Sequence, residues 1–156
     1  MNIHTLVDRF APQVNGKLMP DINWVEELEG KVARRFPVSF HSLISRYEFS
    51  PFDCKGIFFF GNTREVKEER EELRFAIFQD KILSECLLKS GYVQFGRPDT
   101  GDYDAICFDT NQKRSNREYP IVRIDHEGIL CFSQIRVTEI LAPSFYKFIK
   151  SVAEAD

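Results

Sequence analysis

The four cysteines of this chain, Cys54, Cys86, Cys107 and Cys131, are far apart, with no CxxC or CxxH spacing among them. That absence removes the zinc-finger and thioredoxin-type readings, because both need ligand or redox pairs held a few residues apart. The thiols read instead as small core hydrophobes, a common place for free cysteine. Positive charge is also not in excess: 21 Lys and Arg stand against 24 Asp and Glu, a formal net charge of −3. This excludes a general attraction for nucleic acid or for an anionic membrane surface. No apolar run approaches the roughly 20 residues needed to span a bilayer. The opening MNIHTLVDRF lacks the basic start and continuous apolar stretch of a secretory signal, so a cytoplasmic location is expected. G-x-S-x-G, H-E-x-x-H and P-loop patterns are missing too, and no catalytic residue, metal or cofactor is assigned.

What remains describes a folded protein. Apolar residues make up 43% of the 156 and charged residues 29%, and fifteen phenylalanines supply large side chains that are costly to expose. A chain of this length buries roughly 68 to 70% of the surface its unfolded form exposes, enough for one core. One domain, residues 1–156, is expected, with no repeat or linker dividing it.

Apolar periodicity places the elements. Ile3, Leu6, Val7 and Phe10 share a helical face, ended by Pro12, Asn15 and Gly16. A second helix starts near Asp21 or Asn23 and puts Trp24, Leu28, Val32 and Phe36 on one side, with Trp24 as a core anchor. Ser39 is the expected cap of a third, carrying Phe40, Leu43, Ile44 and Tyr47. Ile57 to Phe60, between glycines, reads as an early strand or hairpin. The mixed charges of residues 63–74 lead into a helix with Phe75, Phe78, Ile82 and Cys86 on one face. After Gly91 strands are expected at Tyr92 to Phe95, Tyr103 to Asp109 and Pro120 to Asp125, with one or two more between Ile129 and Leu141. The polar residues 111–118 form a solvated hairpin loop, and Pro143 and Ser144 open a last helix with Phe145, Phe148, Ile149 and Val152. Helices, then strands with one inserted helix, then a closing helix point to an α+β fold with a largely antiparallel sheet.

The segment GDYDAICFDT, residues 101–110, holds three aspartates around an apolar centre. A strand advances about 3.3 Å per residue, so Asp104 and Asp109 lie about 16 Å apart and do not share one ion. Asp102 and Asp104 are about 6 to 7 Å apart on one side, loose for co-ligation without a third group such as Asp99. DTGDYD, residues 99–104, departs from the EF-hand spacing. Ala105 to Phe108 suits a strand covered on both faces, with Asp102 and Asp104 at its exposed entrance. Asp125, His126 and Glu127 form a second cluster, expected in a turn at Gly128, where adjacent side chains diverge. His4 and His41 lack ligand spacing, and Lys113, Arg114 and Arg117 lack the interleaved aromatics of a nucleic-acid surface.

Several separated pieces resemble one family. FPVSFHSLISRY, residues 36–47, is similar to the "LPxSYxxFLxxY" segment of the SUKH superfamily, in its Smi/Knr branch. GYVQFGRPDTGDYDAICFDT, residues 91–110, resembles that family's strand, glycine loop, "GD" and aromatic-aspartate strand. YPIVRIDHE and APSFYKFI resemble its "PV…DHE" strand and closing "SFxxFL" helix. The chain departs from the pattern at Tyr47, Glu48 and Phe49, where the family often has an asparagine-glycine turn, and in the charged insertion from residue 63. The resemblance implies an α+β domain with a curved sheet flanked by helices. It also implies a non-catalytic immunity protein that binds a toxin domain, such as a nuclease, or an interaction hub in regulation. An acidic inhibitor suits a basic nuclease site, and the residues then offered for partner contact are Asp99, Asp102, Asp104, Asp125 and Glu127. Two other readings stay open: a scaffold module with a non-toxin partner, and a small metal-dependent hydrolase using Asp102, Asp104, Asp125 and His126.

Overall fold

A computed structural model describes residues 2–19, 23–63, 68–112 and 116–155. The expected residues Asp21, Lys113 and Arg114, and part of the charged run at 64–67, lie outside them. The chain opens with α1 (Ile3–Phe10), where the Asn2 side chain accepts the Thr5 N–H and Leu6, Val7 and Phe10 are buried. A 3₁₀ turn, Ala11–Val14, follows, and β1 (Lys17–Leu18) later pairs with β2 (Tyr47–Glu48). Between them lie α2 (Trp24–Val32) and α3 (Val38–Arg46). Trp24 is buried as expected, under the Arg74 guanidinium at 4.9 Å from its ring centre.

The sheet is an antiparallel meander in strict chain order: β3 (Phe52–Cys54), β4 (Ile57–Phe59), β5 (Tyr92–Pro98), β6 (Ala105–Asp109), β7 (Ile121–Ile124) and β8 (Val137–Ala142). The closing helix is α7 (Phe145–Ala153), whose first turn donates Lys147 N–H to the Ser144 hydroxyl. A cleft lined by Ile57 of β4, Leu141 of β8 and Phe148 and Ser151 of α7 brings the second strand and the last strand of the sheet to one helix. The sheet therefore curves around α7, without closing, and the expected α+β architecture is present.

Strand alternation divides the core. Ile106 and Phe108 of β6 face the larger cluster, with α1, α2, α3 and α7. Ala105 and Cys107 face the smaller one, with Val122, Ile124, Leu83, Leu87 and Ile129. Phenylalanines knit the larger side. Phe95 and Phe108 stack at 4.1 Å between ring centres, and Phe40 lies 4.9 Å from Phe108 and edge-on to Phe145 at 5.2 Å. Such pairs are worth about 0.5 to 1.5 kcal/mol each beyond their burial. Gly96 permits the crossing of β4 and β5, since a Cβ there would stand 2.5 Å from the Phe58 carbonyl oxygen.

The structure corrects five local readings. The helix expected to follow the charged run is broken into a 3₁₀ turn (Glu69–Glu71), α4 (Leu73–Ala76) and α5 (Lys81–Lys89). Asp80 causes the second break by capping α5 through the Leu83 N–H, and the rephased helix buries Leu83 and Leu87 while Phe75, Phe78 and Ile82 are exposed. Residues 126–132 are not a turn and strand but α6 (His126–Phe132), capped by Asp125. Gly128 serves close packing there, because a Cβ would meet Arg136 Cδ at 3.0 Å. Ser39 does not cap α3, and Glu118, placed by sequence in a solvated loop, is buried. Cys131 is exposed rather than core, Cys54 and Cys86 are half-buried, and Cys107 alone of the four is fully buried.

Candidate functional site

Gly101, with φ +89°, turns the chain between β5 and β6 into a conformation that L side chains resist. Asp102 then accepts the Asp104 N–H on its Oδ1 at 3.2 Å, a local Asx-type bond that sets the entry to β6. From β7, Arg123 stands in an otherwise apolar strand and reaches across. Its Nε donates to Asp104 Oδ2 at 2.7 Å and its Nη2 to Asp102 Oδ2 at 3.0 Å. From the first residue of α6, His126 donates its backbone N–H to Asp104 Oδ1 at 3.0 Å, and its Nδ1 lies 2.6 Å from the same oxygen. One guanidinium, one imidazole and one helix N-terminus thus converge on one carboxylate.

Asp104 is 7% exposed, so it does not mark an exposed strand entrance as the sequence had implied. Burial pushes its carboxyl pKa up, but the hydrogen bonds from His126 and Arg123 outweigh this and hold it below the ordinary value of 3.8. The hydrogen bond to Asp104 likewise outweighs burial at Arg123 and raises its pKa. The other offered acids are placed differently. Asp102 is exposed but paired with Arg123, and Asp99 and Glu127 are exposed. Asp125 is half-buried, caps α6 through the Glu127 N–H and lies 3.5 Å from Arg136 Nη1.

Tyr103 stands between the two paired aspartates in the chain. The residue is 39% exposed, and its ring lies 4.8 Å from the Arg97 guanidinium carbon and meets the His126 ring edge-to-face at 5.8 Å. Arg97 also packs against Phe60, its guanidinium carbon 5.3 Å from that ring centre. The result is a continuous row from the residue after β4 to β7: Phe60, Arg97, Tyr103, His126, Asp104, Arg123.

Sequence reasoning missed Arg123, Arg97 and Tyr103. The signal for Arg123 was legible, because a charge in the middle of IVRI demands a buried partner. Three of the four residues named for the hydrolase reading do meet. Ligand-capable atoms of Asp102, Asp104 and His126 lie within 4.8 Å of one another, while Asp125 is turned to Arg136. The remaining histidines have local partners: His41 Nε2 lies 3.2 Å from Glu26, and His4 Nδ1 lies 3.2 Å from the Ser42 hydroxyl. No helix among the described residues is long and apolar enough to cross a membrane.

No protein-family model matches this chain, and no curated protein matches it.

Proposed function

We propose that this chain is a non-catalytic protein-binding module, specifically an immunity protein of the SUKH type. It would neutralise a cognate toxin domain in the cytoplasm by stoichiometric binding. The observation that carries the reading is Tyr103: an exposed aromatic ring held between Arg97 and His126 on a loop pinned by two aspartates. A large amphipathic side chain already fixed in one orientation is the usual anchor of a protein interface, because little freedom is lost when it is covered. The net charge of −3 and the exposed Asp99 and Glu127 favour a partner with a basic surface, as a nuclease has. The family-like segments at 36–47 and 91–110 add support.

Co-expression with the toxin domain encoded beside it is the test. Restored growth and a stable complex are expected, and growth unaffected by this protein would end the reading. A pull-down that returned a host regulatory protein and no toxin would favour the scaffold alternative.

The hydrolase reading keeps one favourable observation, the approach of Asp102, Asp104 and His126. Against it, Arg123 already bridges one oxygen of each carboxylate, and its positive charge opposes a cation at the same place. Elemental analysis without bound metal, together with full protection by His126→Ala, would remove it.

A further inference from the structure

We infer that Arg97 is a receptor for a single carboxylate carried on an otherwise basic partner surface. The inference rests on the reading above only in taking its occupant from a protein partner.

Three of the chain's other half-buried arginines are paired with acids. Arg46 bonds Asp8 at 2.7 Å, Arg74 bonds Glu72 at 2.5 Å and Arg123 bonds Asp104 at 2.7 Å. Arg97 bonds no carboxylate among the described residues, and its Nε, like those of Arg46 and Arg117, is buried without an acceptor. Burial therefore pulls its pKa below the ordinary arginine value. Glu71 and Asp80 are near enough to favour its charge and Arg70 to oppose it, but none of them is hydrogen-bonded to it.

A half-buried guanidinium whose Nε lacks an acceptor is costly, and its fork geometry matches a carboxylate. The two neighbouring rings, Phe60 and Tyr103, lie within cation–π range of the guanidinium and shield part of it from water, which strengthens any ion pair formed there. The surroundings select the kind of anion. A phosphate dianion would meet Glu71, Asp80 and the acidic net charge of the chain, whereas one carboxylate set among lysines or arginines would be drawn in by Asp99 and Glu127.

The test uses the ¹⁵N-labelled full chain and follows the Arg97 Nε–Hε and Tyr103 amide NMR signals. The probes are acetyl-Lys-Lys-Glu-Lys-Lys-amide, its Gln counterpart, and sodium phosphate. Saturable shifts with the Glu peptide are expected, about tenfold weaker with the Gln peptide. Arg97→Lys keeps the charge but loses the fork, and should weaken the Tyr103 response to a similar degree. Equal responses to the Glu and Gln peptides, or no response, would overturn the inference. Saturation by phosphate at lower concentration than by the Glu peptide would also overturn it, in favour of a free anion. Protection from toxin with an unresponsive Arg97 would leave the immunity reading standing and remove this one. A responsive Arg97 in a chain that binds no toxin would do the reverse.

Discussion

Glu118 and Ser39 are 79 positions apart, and both oxygens of the Glu118 carboxylate accept from Ser39: Oε2 from its backbone N–H at 2.8 Å and Oε1 from its hydroxyl at 2.9 Å. Oε1 also accepts the Tyr146 N–H at 3.0 Å. One buried acid therefore satisfies orphan donors at the N-termini of α3 and α7 at once, and its charge complements both helix dipoles. These two helices, with α1, form the layer against which the sheet packs.

Removing that carboxylate should loosen the whole layer. Glu118→Gln keeps the size but loses the charge and turns an acceptor into a donor facing N–H groups, at a cost of about 1 to 2 kcal/mol. Glu118→Ala should cost about 3 kcal/mol, because it leaves the donors buried and unpaired. Urea denaturation followed by circular dichroism measures both. A change below about 0.5 kcal/mol in Glu118→Ala would show that water replaces the cap.

Asp104 should contribute an acid-sensitive share of stability. Its folded pKa lies below the ordinary 3.8, so the folded state holds its proton less tightly than the unfolded chain does. The contribution is complete above about pH 5 and is lost as pH falls through 3.8 and on through the folded value. Asp104→Asn should lower stability at pH 7 by about 2 to 3 kcal/mol, leaving Arg123 with Asp102 alone, and should flatten the acid limb. Parallel acid limbs for the two proteins would show that the carboxylate is not protected.

The elements legible in the sequence are those whose pattern is local. The apolar centre of GDYDAICFDT marks β6 as a strand covered on both faces, and the helical spacing of Phe145, Phe148 and Ile149 marks α7. Helix α6 was illegible because Gly128 signals a turn, whereas here its missing side chain makes room for Arg136. The burial of Asp104 depends on Arg123, 19 positions later, and that of Glu118 on Ser39, 79 positions earlier. No spacing rule connects such pairs. They form only once the meander sets β6 beside β7 and the loop after β6 beneath α3. The same reasoning explains the candidate site: its acids were visible as residue types and Arg123 as a charge in an apolar strand, but which of them would meet was not.

Tyr103→Ala separates binding from folding. The ring is partly exposed, so stability should change by about 1 kcal/mol or less. Binding to the toxin domain should weaken by at least about 2 kcal/mol, roughly thirtyfold, if Tyr103 is the anchor. Calorimetry on the complex and thermal melts of the free chain give the two numbers. Unaltered affinity would move the interface away from this loop.

Charge reversal now separates two exposed acids offered for partner contact, Asp99 and Glu127, from the buried Asp104. Asp99 and Glu127 are exposed and have no ion pair among the described residues, so Asp99→Lys and Glu127→Lys should fold normally. Each should slow association with a basic partner, most at about 0.01 M salt, where fields reach about 30 Å, and little at about 0.15 M, where they reach about 8 Å. Dissociation should hardly change, because rim charges steer the encounter rather than hold the complex. Asp104→Lys differs: it places a cation against Arg123 and His126 in a buried site and should unfold the domain before it reports on binding. Stopped-flow association at the two salt concentrations, with circular dichroism of each variant, tests this division. A folded Asp104→Lys, or salt-independent association of Asp99→Lys and Glu127→Lys at the wild-type rate, would contradict it.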